Sequence, residues 1–292
     1  MQKKIAITYH GQMSQVGELK VKRLLPNRYT RTVGPFFFLD YLVPTIIEPK
    51  KAERPNGEHA HPHRGIATFT YLFNGELEHF DSRGHQGIVG AGGAQWMKAG
   101  NGIIHDENPT GRFQESGGLM HGMQFWINLP AMNKAEPPEY LAVQNEDFPV
   151  VLLPDNNGQL KVLIGAYDNL KSPVQTYTRQ FNYHLKLNPK ASFKLTPHPD
   201  FESALFIPSG ELNVNGAKHG NGELLVFEIT GEEIEITNTN DTIVDIIIFG
   251  GEGYTEPIIA EGPFVMNSQL GIAEAYRDYA NGKYGEISYT RD

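Results

Sequence analysis

No cysteine occurs among the 292 residues. That excludes disulfides, thiolate metal sites and thiol nucleophiles, and it fits a reducing compartment. Long apolar runs are missing too. The longest, at residues 243–249, is broken by Asp245 and falls far short of the roughly 20 residues that a membrane-spanning helix needs. Residues 1–8 hold lysines but no apolar core of a secretory signal. The expectation is a cytoplasmic protein without a membrane partner. No block of lysine and arginine is present either, and the net charge of −9 is uneven. Residues 1–135 sum to +4 and residues 136–292 to −13. An acidic second half repels a phosphate backbone, so direct nucleic-acid binding is not expected.

Familiar catalytic loops are absent as well. There is no Gly-x-Ser-x-Gly elbow and no Gly-x4-Gly-Lys-Ser/Thr phosphate loop. The Gly-x-Gly pairs starting at Gly90, Gly100, Gly220 and Gly251 have Gln95, His105, Leu225 and Glu256 where the dinucleotide fingerprint needs its last glycine.

What is present is a chain of short β-branched and aromatic runs punctuated by 31 glycines and 19 prolines, the pattern of an all-β sandwich or barrel. Residues 67–73, 122–128 and 242–248 read as strands, and residues 268–279 as the one clear helix, with Ile272, Tyr276 and Tyr279 on one face. An internal echo divides the chain. His61-Pro62-His63 precedes Gly75-Glu76-Leu77 as Thr196-Pro197-His198 precedes Gly210-Glu211-Leu212, at a constant offset of 135. Two copies of one β-domain are expected, at 1–135 and 136–292, with a polar linker near 133–139. In the second copy Thr196 stands for His61, while Ile234 and Ile236 stand for His105 and Glu107, so only the first retains metal-binding chemistry.

Seven of the eleven histidines lie between His59 and His121. His61 and His63 are spaced i, i+2, which puts both side chains on one face of a strand about 7 Å apart at the backbone. His105 and Glu107 repeat the spacing. Two neighbouring strands would supply three imidazoles and a carboxylate, a set that suits one divalent first-row metal with open positions better than a closed zinc site. His59, His79 and His85 read as loop, surface or supporting residues. For His121, Gln124 and Trp126, lining the cavity and packing in the core are both open. Arg64 either pairs with a carboxylate or lies along the surface.

His61-Pro62-His63-Arg64-Gly65, the run from Gln95 to Glu107, Phe38-Leu39-Asp40, the run from His121 to Leu129, and Gly262-Pro263-Phe264-Val265-Met266-Asn267 together resemble the cupin superfamily and, within it, the pirin family. The resemblance implies a monomeric bicupin of two jelly-roll barrels ending in a helix. It implies one metal in the first barrel, on His61, His63, His105 and Glu107. The wider cupin pattern has a Glu four residues after the second His, where this chain has Ala67; pirin-like sites take their carboxylate from the His-x-Glu pair instead. Iron(II) is the expected ion, with manganese, nickel, cobalt, copper or zinc able to use the same donors. The resemblance further implies quercetin 2,3-dioxygenase activity, opening a flavonol with O2 and releasing carbon monoxide, with Glu107 as the base. The alternatives are a metal- or redox-dependent coregulator that binds a transcription factor or metabolic enzyme, and a cupin acting on a diketone or sugar derivative.

Overall fold

A computed structural model describes residues 1–16 and 19–290. Two compact units interleave along the chain. One gathers Met1–Met13, Arg23–Phe37 and Asp147–Tyr254, and the other Ser14–Lys22, Phe38–Glu146 and Thr255–Asp292. Set beside the linear halves 1–135 and 136–292, the first strand and the last helix each fall with the opposite half. For the strand the cause is backbone pairing: Ile5–Tyr9 is the edge of a seven-stranded sheet, hydrogen-bonded to Leu224–Phe227. Local periodicity carries no information about a partner so distant in sequence.

In the unit that holds most of the N-terminal half, a four-stranded sheet runs in the order His61–His63, Ile103–Pro109, Leu77–Asp81 and Gln86–Val89. A seven-stranded sheet holds Ala94–Lys98, Ile66–Asn74 and Gly118–Asn128 as successive neighbours. All these pairings are antiparallel, and the two-sheet arrangement is a jelly roll. The strands expected at 67–73 and 122–128 lie inside observed ones. The third expected strand begins two residues late, at Val244.

The C-terminal helix, Gln269–Ala280, is capped by Ser268, whose hydroxyl accepts from the Gly271 N–H at 3.0 Å. Ile272 and Ala275 bury against Phe264 and Tyr284. Arg64 donates to Asp278 at 2.8 Å, which ties this helix to the residue after His63 and resolves the role of Arg64 as an ion pair. A second, shorter helix at Gly111–Ser116 has no periodic signal in the sequence.

The polar stretch 133–139 is anchored at Lys134, which is only 3% exposed. Its ammonium donates to the Gly65 carbonyl at 2.8 Å, Asn128 Oδ1 at 2.6 Å and the Val265 carbonyl at 2.7 Å. Gly65 sits at φ +83°, and a Cβ there would lie 2.0 Å from the Val265 oxygen, so no other residue fits. Lys134 therefore ties the backbone just after His63 to that of Val265. Lys134→Met would take this donor from the Asn128 and Val265 oxygens and leave Gly65 only the Leu129 N–H at 3.3 Å, and should lower stability by about 3 kcal/mol. Urea unfolding of the variant checks this; an unchanged midpoint would remove Lys134 from the account.

In the other unit, a seven-stranded sheet and a four-stranded one enclose Leu160, Leu185, Leu205, Leu225, Ile246 and Ile248, among others. Here the strand Ser192–Leu195 pairs with Ile234–Asn238, and Leu195 lies opposite Ile234. In the unit with the histidine cluster His61 lies opposite His105. Leu195, one residue before the Thr196 of the sequence echo, is thus the structural counterpart of His61. Leu195, Ile234 and Ile236 all belong to the apolar core.

Candidate metal centre

The His61–His63 strand and the Ile103–Pro109 strand are direct neighbours, with His105 opposite His61 and Ile103 opposite His63. This register brings three imidazoles together. Ring centroids are 4.9 Å apart for His61 and His63, 4.4 Å for His61 and His105, and 5.0 Å for His63 and His105. One potential ligand atom from each lies within 4.8 Å of the other two.

The ring tautomers are set by backbone carbonyls. His61 Nδ1 donates to the His59 carbonyl at 2.8 Å, and His63 Nδ1 to the Pro263 carbonyl at 3.1 Å. Each neutral ring then carries its lone pair on Nε2. His61 Nε2 and His105 Nε2 are 3.0 Å apart, a separation that needs a proton or a cation between them. A neutral His105 ring with its hydrogen on Nε2 supplies that proton to His61 Nε2, and burial disfavours only a second proton on the buried rings. Desolvation first, then the neighbouring His61, pulls the His63 pKa down to about 3; desolvation, then His61, His63 and His79, pulls His105 well below its usual range. Two carbonyl-oriented imidazoles and a third that can turn an Nε2 lone pair toward them by a change of tautomer fit a transition-metal ion.

Glu107 is not within that triplet. It forms an overlapping one with His105 and His79, again within 4.8 Å. Its carboxylate is clamped by neutral donors. Thr70 Oγ1 at 3.3 Å and Gln95 Nε2 reach Oε1, while Gln124 Nε2 reaches Oε2 at 3.0 Å. Gln124 therefore faces the site. Trp126 does too, with its ring 4.9 Å from that of His63 and stacked on Phe38 at 4.2 Å. His121 does not join them: it bonds the Tyr41 hydroxyl at 2.9 Å and stacks on Phe73. His121 is three residues from Gln124 and five from Trp126, and odd spacings turn a side chain to the other face of a strand.

His79 is the residue that sequence reasoning undervalued. It is 1% exposed and lies directly opposite Glu107 in the ladder. Asp81 Oδ2 accepts from His79 Nε2 at 3.1 Å and from His85 Nδ1 at 2.8 Å. That leaves His79 Nδ1 as its lone-pair atom. Tyr140 stacks on His79 at 4.1 Å, and its hydroxyl donates to Gln95 Oε1 at 3.3 Å. The His79-x-Asp81 spacing was a visible signal; Tyr140, from a strand that pairs with Ala94–Lys98, had none.

The buried imidazoles give the metal-free protein a pH signature. Unfolded His63 takes a proton near 6.5 and folded His63 only near 3. Between these values the unfolded state binds more protons, so stability is present above pH 6.5 and lost as pH falls. One such group amounts to about 2 kcal/mol between pH 6.5 and 5. Thermal melts of metal-free protein should show this loss, and His63→Asn should flatten it; equal slopes would contradict the assignment.

Comparison with known proteins agrees with this architecture. The family model Pirin matches residues 18–127, and the model for the pirin C-terminal cupin domain matches residues 182–285. A Pseudomonas aeruginosa protein provisionally named a quercetin 2,3-dioxygenase is 34% identical over 258 residues, covering 88% of this chain and 89% of its own. The crystal structure of a quercetin 2,3-dioxygenase from Acinetobacter baumannii superposes with a TM-score of 0.91 at 31% identity, over 99% of this chain and all of that one. A bacterial pirin from Escherichia coli, solved with nickel(II), shares the fold at a TM-score of 0.62 and 20% identity, over 85% of this chain and all of that one. With both halves matched by family models and the histidine cluster of a cupin-type metal site in place, the chain belongs to the pirin family of cupins.

Proposed function

We propose that this protein is a metal-dependent quercetin 2,3-dioxygenase. His61, His63, His105 and Glu107 hold one divalent ion, iron(II) by preference, within the copy spanning 1–135. The observation that carries this reading is the convergence of three imidazoles, two with carbonyl-fixed tautomers, beside a carboxylate held by amides. A similar chain from Acinetobacter baumannii bears the same activity in its name. The ion would supply Lewis acidity toward the 3-hydroxyl and 4-keto oxygens of a flavonol.

The chain's own residues provide the rest. Glu107 is the base for the 3-hydroxyl proton, and its donors Thr70, Gln95 and Gln124 orient it without neutralising it. Trp126 offers a flat apolar wall to a planar substrate, and its buried Nε1–H, which has no protein acceptor, is a donor for a substrate oxygen. Tyr140 supports the base from behind by bonding Gln95. Its phenol is kept neutral by burial first, then by the charges of Glu107 and Asp81.

Metal analysis of protein purified without chelators, followed by O2-uptake and carbon monoxide assays with quercetin, tests the proposal. Glu107→Gln should lower turnover by at least about 100-fold with the circular dichroism spectrum unchanged. Absence of O2 consumption by metal-loaded protein with every flavonol tried would end this reading.

A further inference from the structure

The Thr196-Pro197-His198 echo lost its metal chemistry, yet the structure places a cavity of about 260 Å³ there. It lies wholly within the compact unit built on residues 147–254. Its walls include Tyr167, Phe181, Tyr183, Phe201 and His198, with the carboxylate of Asp168. Tyr167 comes from the hairpin formed by Ala166–Tyr167 and Leu170–Lys171, and Asp168 from its turn. Phe181 and Tyr183 lie two apart on the strand Gln180–Leu187, and Phe201 opens the strand Phe201–Phe206.

The rings stand at several angles around the space. Tyr167 and Tyr183 are perpendicular, at 89° with centroids 5.6 Å apart, while Phe181 lies 4.9 Å from Tyr183 and 6.1 Å from Phe201. His198 adds a fifth ring 5.1 Å from Phe201. The Tyr183 hydroxyl donates to the Ala166 carbonyl at 2.5 Å, which fixes that ring. Asp168 is the carboxylate residue of the lining. Burial and then the Asp168 charge raise the Tyr167 pKa, and Tyr183 is raised by burial, Tyr167 and Asp168. No lysine or arginine lines the cavity. The nearby Arg179 stands over Phe201 at 5.0 Å, already showing that ring as a cation acceptor, and is itself paired with Glu252 at 3.0 Å.

We infer that this cavity is a second ligand site, an aromatic box with one carboxylate that takes an alkylated ammonium group. Ring faces attract a cation through their quadrupoles. A primary ammonium needs acceptors for three N–H bonds. Beside the rings, these walls offer one carboxylate residue, one aliphatic hydroxyl at Thr196 and the apolar Leu195 and Pro197, so a methylated nitrogen, which needs no N–H acceptors, fits better. The volume is below the roughly 300–1,000 Å³ of pockets for drug-sized ligands, so the box holds a head group. The second copy thus exchanged metal donors for a different recognition chemistry at the same motif.

Calorimetric titration of the full chain, stripped of metal, tests this independently of the dioxygenase reading. The probes are choline and its neutral isostere 3,3-dimethylbutan-1-ol. Choline should saturate and bind about tenfold more tightly than the isostere. Tyr167→Leu and Asp168→Asn should each weaken choline about threefold to tenfold with the melting temperature unchanged. Asp168 is an exposed turn residue, so its variant keeps the test valid even where the Tyr167 change disturbs packing. Equal binding of the isostere, no saturation by about 50 mM choline, or full affinity in Asp168→Asn would each overturn the inference.

Discussion

The histidine-bearing unit depends on bringing three imidazoles together while carbonyls hold the outer nitrogens of two of them. His61 and His105 meet Nε2 to Nε2 at 3.0 Å as a hydrogen-bonded pair, and His63 and His105 are buried away from water. The surrounding structure holds this arrangement by controlling the outer nitrogens. The His59 and Pro263 carbonyls accept from His61 and His63. The Pro263 carbonyl is itself positioned by the following residues: Val265 donates its N–H to the Arg64 carbonyl at 3.1 Å and gives its own carbonyl to Lys134. The last segment of the chain is therefore part of the site's frame, although it contributes no ligand atom.

The second copy shows what the same ladder becomes without that constraint. Leu195, Ile234 and Ile236 occupy the corresponding positions and are almost fully buried. Each such aliphatic side chain contributes roughly 1.5–3 kcal/mol by leaving water. The imidazoles of the first copy forgo that gain and need oriented carbonyls besides. A fold keeps such an arrangement where a bound ion returns the difference, since binding to the native state alone stabilises it. The aliphatic copy lacks that requirement, and its histidine at the old motif, His198, stands outside the strand in the wall of an aromatic cavity.

Much of this was legible in the sequence because it rests on period-two alternation. His61 and His63, or His105 and Glu107, share a face on any strand. The pairing of the two strands followed from their Gly-rich separations. What escaped depends on register and on distant partners. Glu107 is drawn toward Thr70, Gln95 and Gln124, which lie on three other strands. His79 faces it only because the ladder sets them opposite. The echo misplaced the counterpart of His61 by one residue, because the similar tripeptide lies just past a strand end in one copy and forms a strand in the other. Lys134 looked like a linker residue because a buried lysine is recognisable only from the oxygens around it.

The amide clamp on Glu107 limits what the carboxylate can do. An ionised carboxylate has about four lone-pair positions on its two oxygens. Oε1 already accepts from Thr70 and Gln95, whereas Oε2 accepts from Gln124 alone. Oε2 is then the oxygen with room for one further bond, either to an ion or to a substrate proton. Ligation and proton transfer compete for the same position unless one amide lets go. Gln95 is tied to Tyr140, and Tyr140 is stacked on His79, whereas Gln124 also donates to the Thr70 hydroxyl at 3.1 Å. The weakest member is Thr70, at 3.3 Å. A carboxylate that serves both as ligand and as base would exchange roles through that contact first, with the imidazole cluster standing still.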